Sequence, residues 1–223
     1  MAIACWWLIF GLYAILVILV NRLSRCVCIA LACFGLHNAS QAQVSESNCR
    51  ISLEVLSRRQ GERIELNVRL EVPSPIQLVW DVMTDYGSAE RFIRNVRHSE
   101  AIPLGSDKLL VNQVGWLGWG ILGASIHTSY EIELHPALHQ LTGKFVSGDL
   151  TSMEMTANLL ASGAHRTTLF YGLKVDPGSW IPYFLAESAL RQQARDSFED
   201  LAQEMQRRTQ TCPMTQKIDE NQP

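Results

Sequence analysis

The chain has 223 residues, and 19 Lys and Arg stand against 22 Asp and Glu. This balance excludes the basic, aromatic-interleaved surface that is typical of nucleic-acid-binding proteins, so we expect no nucleic-acid partner. Without its first 42 residues the chain has 17 basic and 22 acidic residues, a net charge of −5, which is typical of a soluble domain. The remaining 181 residues are enough for one domain with a sizeable core.

Residues 1–42 are predicted to be a targeting segment. An uncharged run, residues 2–20, is long enough to span a bilayer. A pair of arginines, a second apolar run at residues 26–36 and the small residues of Ser40-Gln41-Ala42 then have the layout of a secretory signal. We expect cleavage after Ala42 and an exported, periplasmic or extracytoplasmic domain. Two alternatives remain, a retained N-terminal membrane segment or a start codon further downstream, near residue 21.

Only Cys49 and Cys212 lie after this segment, although the sequence has six cysteines. The two flank the predicted folded region, and in an oxidising compartment such a pair is a candidate for a disulfide. The alternative is two free thiols. Residues 43–49 are predicted to be a short linker, and residues 209–223 a polar, disordered tail.

The apolar pattern between these ends predicts a fixed order of strands and helices. Alternating and helically spaced apolar residues predict a pair of strands, two short helices, a run of further antiparallel strands and one long C-terminal helix. The predicted strands are residues 51–56, 64–72, 95–101, 109–116, 124–134, 140–147, 151–160 and 166–175, and the predicted helices are residues 75–85, 86–92 and 183–208. Strands in succession, with helices segregated to one face, are typical of an α+β domain.

The first helix carries clear signals at both ends. We expect Ser74 to cap its N terminus, with Pro75 in the first turn and Gln77 completing a capping box. Asp85 lies at its C-terminal end, where the helix dipole disfavours a negative charge. An N-cap role for Asp85 on the following short helix explains this position, so we interpret Asp85 as part of the scaffold rather than of the chemistry.

The stretch Gly115-Trp116-Leu117-Gly118-Trp119-Gly120 interrupts the strand pattern. Three glycines among large apolar residues do not favour a regular strand interior, so we expect a loop here. Its two tryptophans suit either a lid or a tip that touches a membrane surface. The alternative is a hairpin turn packed against the fold.

With this order of elements the sequence resembles START-like proteins, a group also described as polyketide cyclase/dehydrase-like, and in particular coenzyme-Q-binding START-domain proteins. The resemblance covers residues 50–208. It is carried by VWDVMTDY at residues 79–86, by Phe92-Ile93, by Gly148-Asp149 and by residues 171–182, which lead into the last helix.

The resemblance implies a helix-grip fold, in which a curved antiparallel sheet of about six or seven strands wraps a long C-terminal helix and leaves an apolar cavity. It also implies binding or transport of lipophilic molecules, and in some members cyclisation or dehydration. Residues 150–155 depart from the aromatic or Gly-x-Trp pattern that relatives often carry after the Gly-Asp pair. The lining of the cavity therefore need not match that of a characterised member.

The candidate ligand-binding side chains are aromatic residues and methionines that we expect near this cavity. They are Tyr86, Phe92, Trp116, Trp119, Tyr130, Phe145, Met153, Met155, Tyr171 and Phe184. Ordinary core packing is the alternative role for each of them. Tyr130 and Tyr171 add hydroxyls that can orient a carbonyl or quinone oxygen.

We expect no catalytic residue, no metal site and no cofactor. His135 and His139 have the spacing of a zinc pair, but they flank a proline turn and lack the glutamate of a zinc hydrolase. His127 shares the polar face of its strand with serines, and Glu154 is expected to point outward between two inward methionines.

Three hypotheses about function follow. The first is an exported START-like protein that binds a small lipophilic ligand such as a lipid, a quinone or a polyketide-like molecule. The second is a cyclase or dehydratase, which needs an acid and a base in the cavity, with Asp85, Asp149 and Glu154 as the candidates. The third is a membrane-associated interaction module without a ligand, which a cavity below roughly 300 Å³ would favour.

Overall fold

The computed structural model describes residues 49–119, 122–179, 181–209 and 219–220. The predicted targeting segment, most of the predicted linker and Cys212 lie outside these ranges. Cys49 is disulfide-bonded and buried. In the part of the chain that the structure describes, no helix is both long enough and apolar enough to cross a membrane.

Nine strands of the described residues form one sheet, in the order β3-β4-β5-β6-β7-β8-β2-β1-β9. Their bounds are β1 Ser52–Gln60, β2 Arg63–Val72, β3 Val96–Pro103, β4 Lys108–Trp119, β5 Leu122–His135, β6 Gln140–Gly148, β7 Ser152–Ala161, β8 Thr167–Asp176 and β9 Asp219–Glu220. All neighbours pair antiparallel except β1 and the short β9. The sheet thus exceeds the six or seven strands that the resemblance implies, because each of the eight predicted stretches forms a strand of its own and β9 adds a ninth.

The alternation of side chains along the strands decides which face of the sheet is buried. In β2 the side chains of Ile64, Leu66, Val68, Leu70 and Val72 are buried, and those between them are exposed or half-buried. Strand β7 repeats the pattern from its first methionine onward. Because side chains of a strand point alternately to its two faces, one face of the sheet carries the core.

A long helix lies against that apolar face. Helix α2, Tyr183–Thr209, has 27 residues, or a length of about 40 Å, and it contacts β1, β2, β4 and the short helix α1, Ile76–Met83. The predicted architecture, a curved antiparallel sheet around a long C-terminal helix with two short helices after the first strands, is confirmed. Two 3₁₀ helices, Tyr86–Arg91 and Pro136–Leu138, complete the described elements.

The hairpin between β4 and β5 corrects the expectation of a loop at residues 115–120. Strand β4 continues to Trp119, and Gly118 pairs with Gly123 of β5. A side chain on Gly123 would collide with the ring of Trp116. Position 123 therefore requires glycine, because the Trp116 ring occupies the space that a side chain would need.

Both predicted N-caps, Ser74 on the first helix and Asp85 on the second, are wrong. No side chain caps α1, because the buried Ser74 hydroxyl lies 2.8 Å from the hydroxyl of Thr209. The side-chain amide of Gln77 donates instead to Asp81. Asp85 does not cap the following 3₁₀ helix either; its carboxylate accepts a 2.9 Å hydrogen bond from Arg208. Both expected caps are thus used to hold the end of α2.

The turn at Gly148 offers a test of the fold. Gly148 has a φ of +130°, and a side chain there would collide with the carbonyl of His127. We expect Gly148→Ala to lower the free energy of unfolding by roughly 1–3 kcal/mol, because the backbone strain adds to this collision. Urea denaturation measures the change.

The matched control for this test is Gly105→Ala in the turn between β3 and β4, where an added Cβ meets no atom within 4 Å. It is expected to shift stability by no more than about 0.5 kcal/mol. Equal effects of the two substitutions would contradict the importance of the Gly148 turn.

Candidate functional site

A cavity of about 260 Å³ lies between the sheet and α2. Its wall comes from β2, β4, β5, β7, β8, α1, the first 3₁₀ helix and α2, and most of its side chains are apolar. The apolar part of the wall includes Leu66, Val82, Met83, Phe92, Ile93, Leu117, Ile126, Leu150, Met153, Met155, Leu173, Leu190, Phe198 and Leu201. Such a cavity, with a few placed polar groups, has the general character of a small-molecule site.

Six of the ten candidate residues line this cavity. They are Tyr86, Phe92, Tyr130, Met153, Met155 and Tyr171. The two methionines alternate with the exposed Glu154, which points away from the cavity as expected. The tyrosines come from the 3₁₀ helix, β5 and β8, so distant parts of the sequence meet at one site.

Three other candidates do not line the cavity. In β4 the cavity side belongs to Gly115 and Leu117, so Trp116 lies on the opposite face, with the guanidinium of Arg97 4.4 Å from its ring centre. Phe145 is half-buried against the core. Phe184 is 71% exposed at the start of α2. The side chain of Trp119 lies outside the described residues.

The predicted site omits the polar residues of the cavity, because it consists of aromatic residues and methionines. Gln113 shares the cavity face of β4 with Leu117. On α2 the residues at 190, 193, 194, 197, 198 and 201 all line the cavity, and their spacing is that of one helix face. Gln193 and Ser197 could therefore have been found by extending the apolar stripe to its polar members.

A chain of hydrogen bonds runs from the cavity to the edge of the sheet. The Tyr130 hydroxyl donates to Gln113 Oε1 at 2.9 Å, and Gln113 Nε2 donates to Ser99 Oγ at 3.1 Å. The Ser99 hydroxyl in turn donates to the backbone carbonyl of Tyr86 at 2.6 Å. This chain joins β5, β4, β3 and the 3₁₀ helix, and it fixes the Tyr130 side chain.

Burial raises the pKa of Tyr86, Tyr130 and Tyr171 far above the usual value of a phenol. Neighbouring tyrosines raise the pKa of Tyr86 and Tyr130 further. The rings of Tyr86 and Tyr130 meet edge to face, with their ring centres 6.2 Å apart. The ring centres of Tyr171 and Phe198 are 5.1 Å apart. All three hydroxyls therefore keep their protons at physiological pH and can act as hydrogen-bond donors.

Of the three candidate carboxylates only Asp85 lines the cavity, and it forms an ion pair with Arg208 at 2.9 Å. Asp149 is exposed and accepts a 2.7 Å hydrogen bond from the backbone N–H of His127. Glu154 is exposed on β7. The described wall contains no Lys, Arg or His, and the described residues hold no cluster of three metal-ligating side chains.

Charged groups hold α2 to the segment between α1 and β3 at two points. Asp200 of α2 accepts hydrogen bonds from the backbone N–H of Arg94 at 2.8 Å and from its guanidinium at 2.6 Å. The second point joins Arg208 to both Asp85 and Glu204. Hydrogen bonds from Arg207 and then Arg208 lower the pKa of Glu204, whose side chain is only 8% exposed.

Residues 72–202 match the sequence model of a family described as polyketide cyclase / dehydrase and lipid transport. This match covers more than half of the chain. No curated protein sequence matches the chain.

Solved structures share the fold at low sequence identity. Zhui aromatase/cyclase from Streptomyces sp. R1128 has 15% identity and a TM-score of 0.58, over 66% of this chain and 96% of that chain. A protein from Thermus thermophilus has 15% identity and a TM-score of 0.59, over 65% and 99%. A STAR-related lipid transfer protein from Xanthomonas axonopodis has 12% identity and a TM-score of 0.52, over 70% and 99%. The START-like resemblance is confirmed, and at these identities the structures show the fold alone.

Glu204 offers a pH-dependent test of the second point that holds α2. Because its pKa is lowered in the folded protein, its ion pairs stabilise the fold fully above the ordinary pKa near 4.5 and are lost as the pH falls through the lower folded pKa. We expect Glu204→Gln to reduce the free energy of unfolding by roughly 1–3 kcal/mol at neutral pH. This difference from wild type should shrink below about pH 4.5. Urea denaturation across the pH range measures both.

The control is Glu62→Gln, which changes an exposed residue in the turn between β1 and β2. It should follow the wild-type curve throughout. A Glu204→Gln deficit that stays constant to about pH 3 would contradict the assigned role of the ion pairs.

Proposed function

The chain belongs to the polyketide cyclase / dehydrase and lipid transport family, and from this premise we propose that it binds a small lipophilic molecule between the sheet and α2 without transforming it. The observation that carries the proposal is the largely apolar cavity of about 260 Å³. A ligand that buries about 200 Å² of apolar surface there would gain roughly 5 kcal/mol, before the costs of association. Lipid transport, which the description of the family includes, belongs to the same class of function.

A cyclase or dehydratase function has less support. It requires an acid and a base that converge on the substrate, and Asp149 and Glu154 are exposed, away from the cavity. Asp85 lines the cavity, but its carboxylate is engaged by Arg208. The aromatase/cyclase neighbour shares the fold, and the argument for catalysis would have to come from the site itself.

One observation favours the third hypothesis, an interaction module without a ligand. The cavity volume of about 260 Å³ lies just below the roughly 300 Å³ at which ligand pockets begin. The two functions differ in whether a neutral hydrophobe enters the cavity, and one experiment separates them.

Filling the cavity from α2 tests the proposed binding function. Ser197 lines the cavity, so Ser197→Phe places a ring in it and should weaken binding of isopropylnaphthalene, a neutral probe, about tenfold or more, which is about 1.4 kcal/mol. Equilibrium dialysis measures the dissociation constant. The matched control is Ser188→Phe on the exposed side of the same helix, which should bind like wild type.

Two outcomes would count against the ligand-binding function. The first is a wild-type protein that takes up no probe and that also carries no lipophilic molecule in native mass spectrometry after purification from its own host. The second is equal uptake by the Ser197→Phe and Ser188→Phe variants, because the probe would then bind elsewhere.

We propose further that the domain acts outside the cytoplasm. The layout of residues 1–42 supports this, and so does the disulfide at Cys49, since structural disulfides persist in oxidising compartments. Contact with a membrane surface, as expected for a lipid-binding protein, belongs to the same proposal.

Reduction tests the disulfide on which this proposal partly rests. For protein exported to an oxidising compartment, we expect reductant to lower the wild-type free energy of unfolding by about 2–4 kcal/mol. Cys49→Ala should show a similar loss without reductant and no further response to it. Free, reactive thiols in the exported wild-type protein, with no effect of reductant, would contradict the proposal.

A further inference from the structure

Three tyrosines line the cavity beside other polar residues such as Gln193 and Ser197, and the hydroxyls of the three tyrosines have different partners. Tyr130, Tyr86 and Tyr171 all line the same cavity. A hydroxyl that already donates its hydrogen bond to a protein acceptor cannot also donate to a ligand. The hydrogen-bond network decides which tyrosines remain available.

The direction of this network is fixed from its backbone end. The carbonyl of Tyr86 can only accept, so the Ser99 hydroxyl donates to it. The Ser99 oxygen then accepts from the amide nitrogen of Gln113, which turns the amide oxygen of Gln113 toward Tyr130. Tyr130 must donate to that oxygen, and its hydroxyl is therefore not available as a donor to a ligand.

The other two hydroxyls have no such partner. The Tyr171 hydroxyl lies 4.0 Å from the sulfur of Met155, and a thioether is a weak acceptor. For the Tyr86 hydroxyl the described residues supply no hydrogen bond; the hydrogen bonds of this residue are made by its backbone N–H and its backbone carbonyl. Burial keeps the pKa of both phenols high, so both hydroxyls stay protonated and can donate a hydrogen bond. A donor in an apolar cavity favours a ligand that brings an acceptor.

The charges around the cavity select against anions. No Lys, Arg or His lies on the described wall, and its one carboxylate, Asp85, already pairs with Arg208. A carboxylate or phosphate that entered would lose its hydration without gaining a cation. A neutral carbonyl oxygen has a much smaller desolvation cost and can accept from a phenol.

We propose that Tyr86 and Tyr171 are specificity residues that donate hydrogen bonds to the carbonyl oxygen of a neutral, apolar ligand, and that the cavity rejects lipids whose acidic group would have to enter it. This inference rests on the proposed binding function and narrows its ligand to neutral ketones, quinones and related molecules. Tyr130 has a different role, since it positions Gln113 and the strands that carry the wall.

Three probes with one bicyclic skeleton and side groups of similar shape test the inference. Acetylnaphthalene carries a carbonyl, isopropylnaphthalene has no oxygen, and naphthoate is an anion. Equilibrium dialysis at about pH 8 gives the dissociation constant of each for the wild type and for Tyr86→Phe and Tyr171→Phe. Loss of the hydroxyl should weaken acetylnaphthalene roughly threefold to tenfold in each variant and leave isopropylnaphthalene unchanged. Naphthoate should bind to the wild type at least about tenfold more weakly than acetylnaphthalene.

Tyr183→Phe is the matched control. Tyr183 lies at the start of α2 under the guanidinium of Arg59, and its hydroxyl contacts Asp176 rather than the cavity. All three variants should keep the wild-type affinity for isopropylnaphthalene, which shows that the cavity is intact in each. Only the two cavity variants should lose affinity for the ketone.

The outcomes separate this inference from the function on which it rests. If isopropylnaphthalene binds but the ketone responds equally to all three variants, or naphthoate binds as tightly as the ketone, the specificity inference is wrong and the binding function stands. If no probe enters the wild-type cavity, the binding function fails and the inference fails with it.

Discussion

The attachment of α2 to the concave side of the sheet is the constraint on which the rest of the molecule depends. A sheet with one apolar face needs a cover, and a single helix is narrower than nine strands. The contacts of α2 are therefore concentrated where large side chains are available, as where Phe198 packs against Tyr171. Beside Phe198, the helix also presents smaller side chains to the cavity, among them Ala194 and Ser197. The cavity is the space that one helix cannot fill.

Charged groups in this protein serve this attachment more than they serve chemistry. Asp200 holds the backbone and the guanidinium of Arg94, and Asp85 holds Arg208. Both contacts join α2 to the segment that also supplies Tyr86 and Phe92 to the cavity. An acid that is needed to fix the wall of a site is poorly placed to move protons within it, which is why the geometry favours binding over catalysis.

Features with a local sequence pattern were predictable, and features that depend on partners distant in the sequence were not. Strand β2 and helix α2 follow from their own periodicity, because burial on one face leaves a local pattern. The caps at Ser74 and Asp85 could not be predicted in the same way, since the groups that compete for their side chains, Thr209 and Arg208, lie more than 120 residues away. The pairing of Gly118 in β4 with Gly123 in β5 likewise depends on the position of the Trp116 ring.

The candidate site was predictable in its residue types but not in its polarity. Aromatic residues and methionines at alternating positions of the strands predict an apolar wall. The direction of each hydrogen bond, however, depends on the other hydrogen bonds that its partner makes. Tyr130 and Tyr171 look equivalent in the sequence, each on a strand that faces the core. Only the path through Gln113 and Ser99 to a backbone carbonyl separates a tyrosine that supports the fold from one that is available to a ligand. Recognition in a cavity of this kind is therefore decided by the donors that the fold leaves unused.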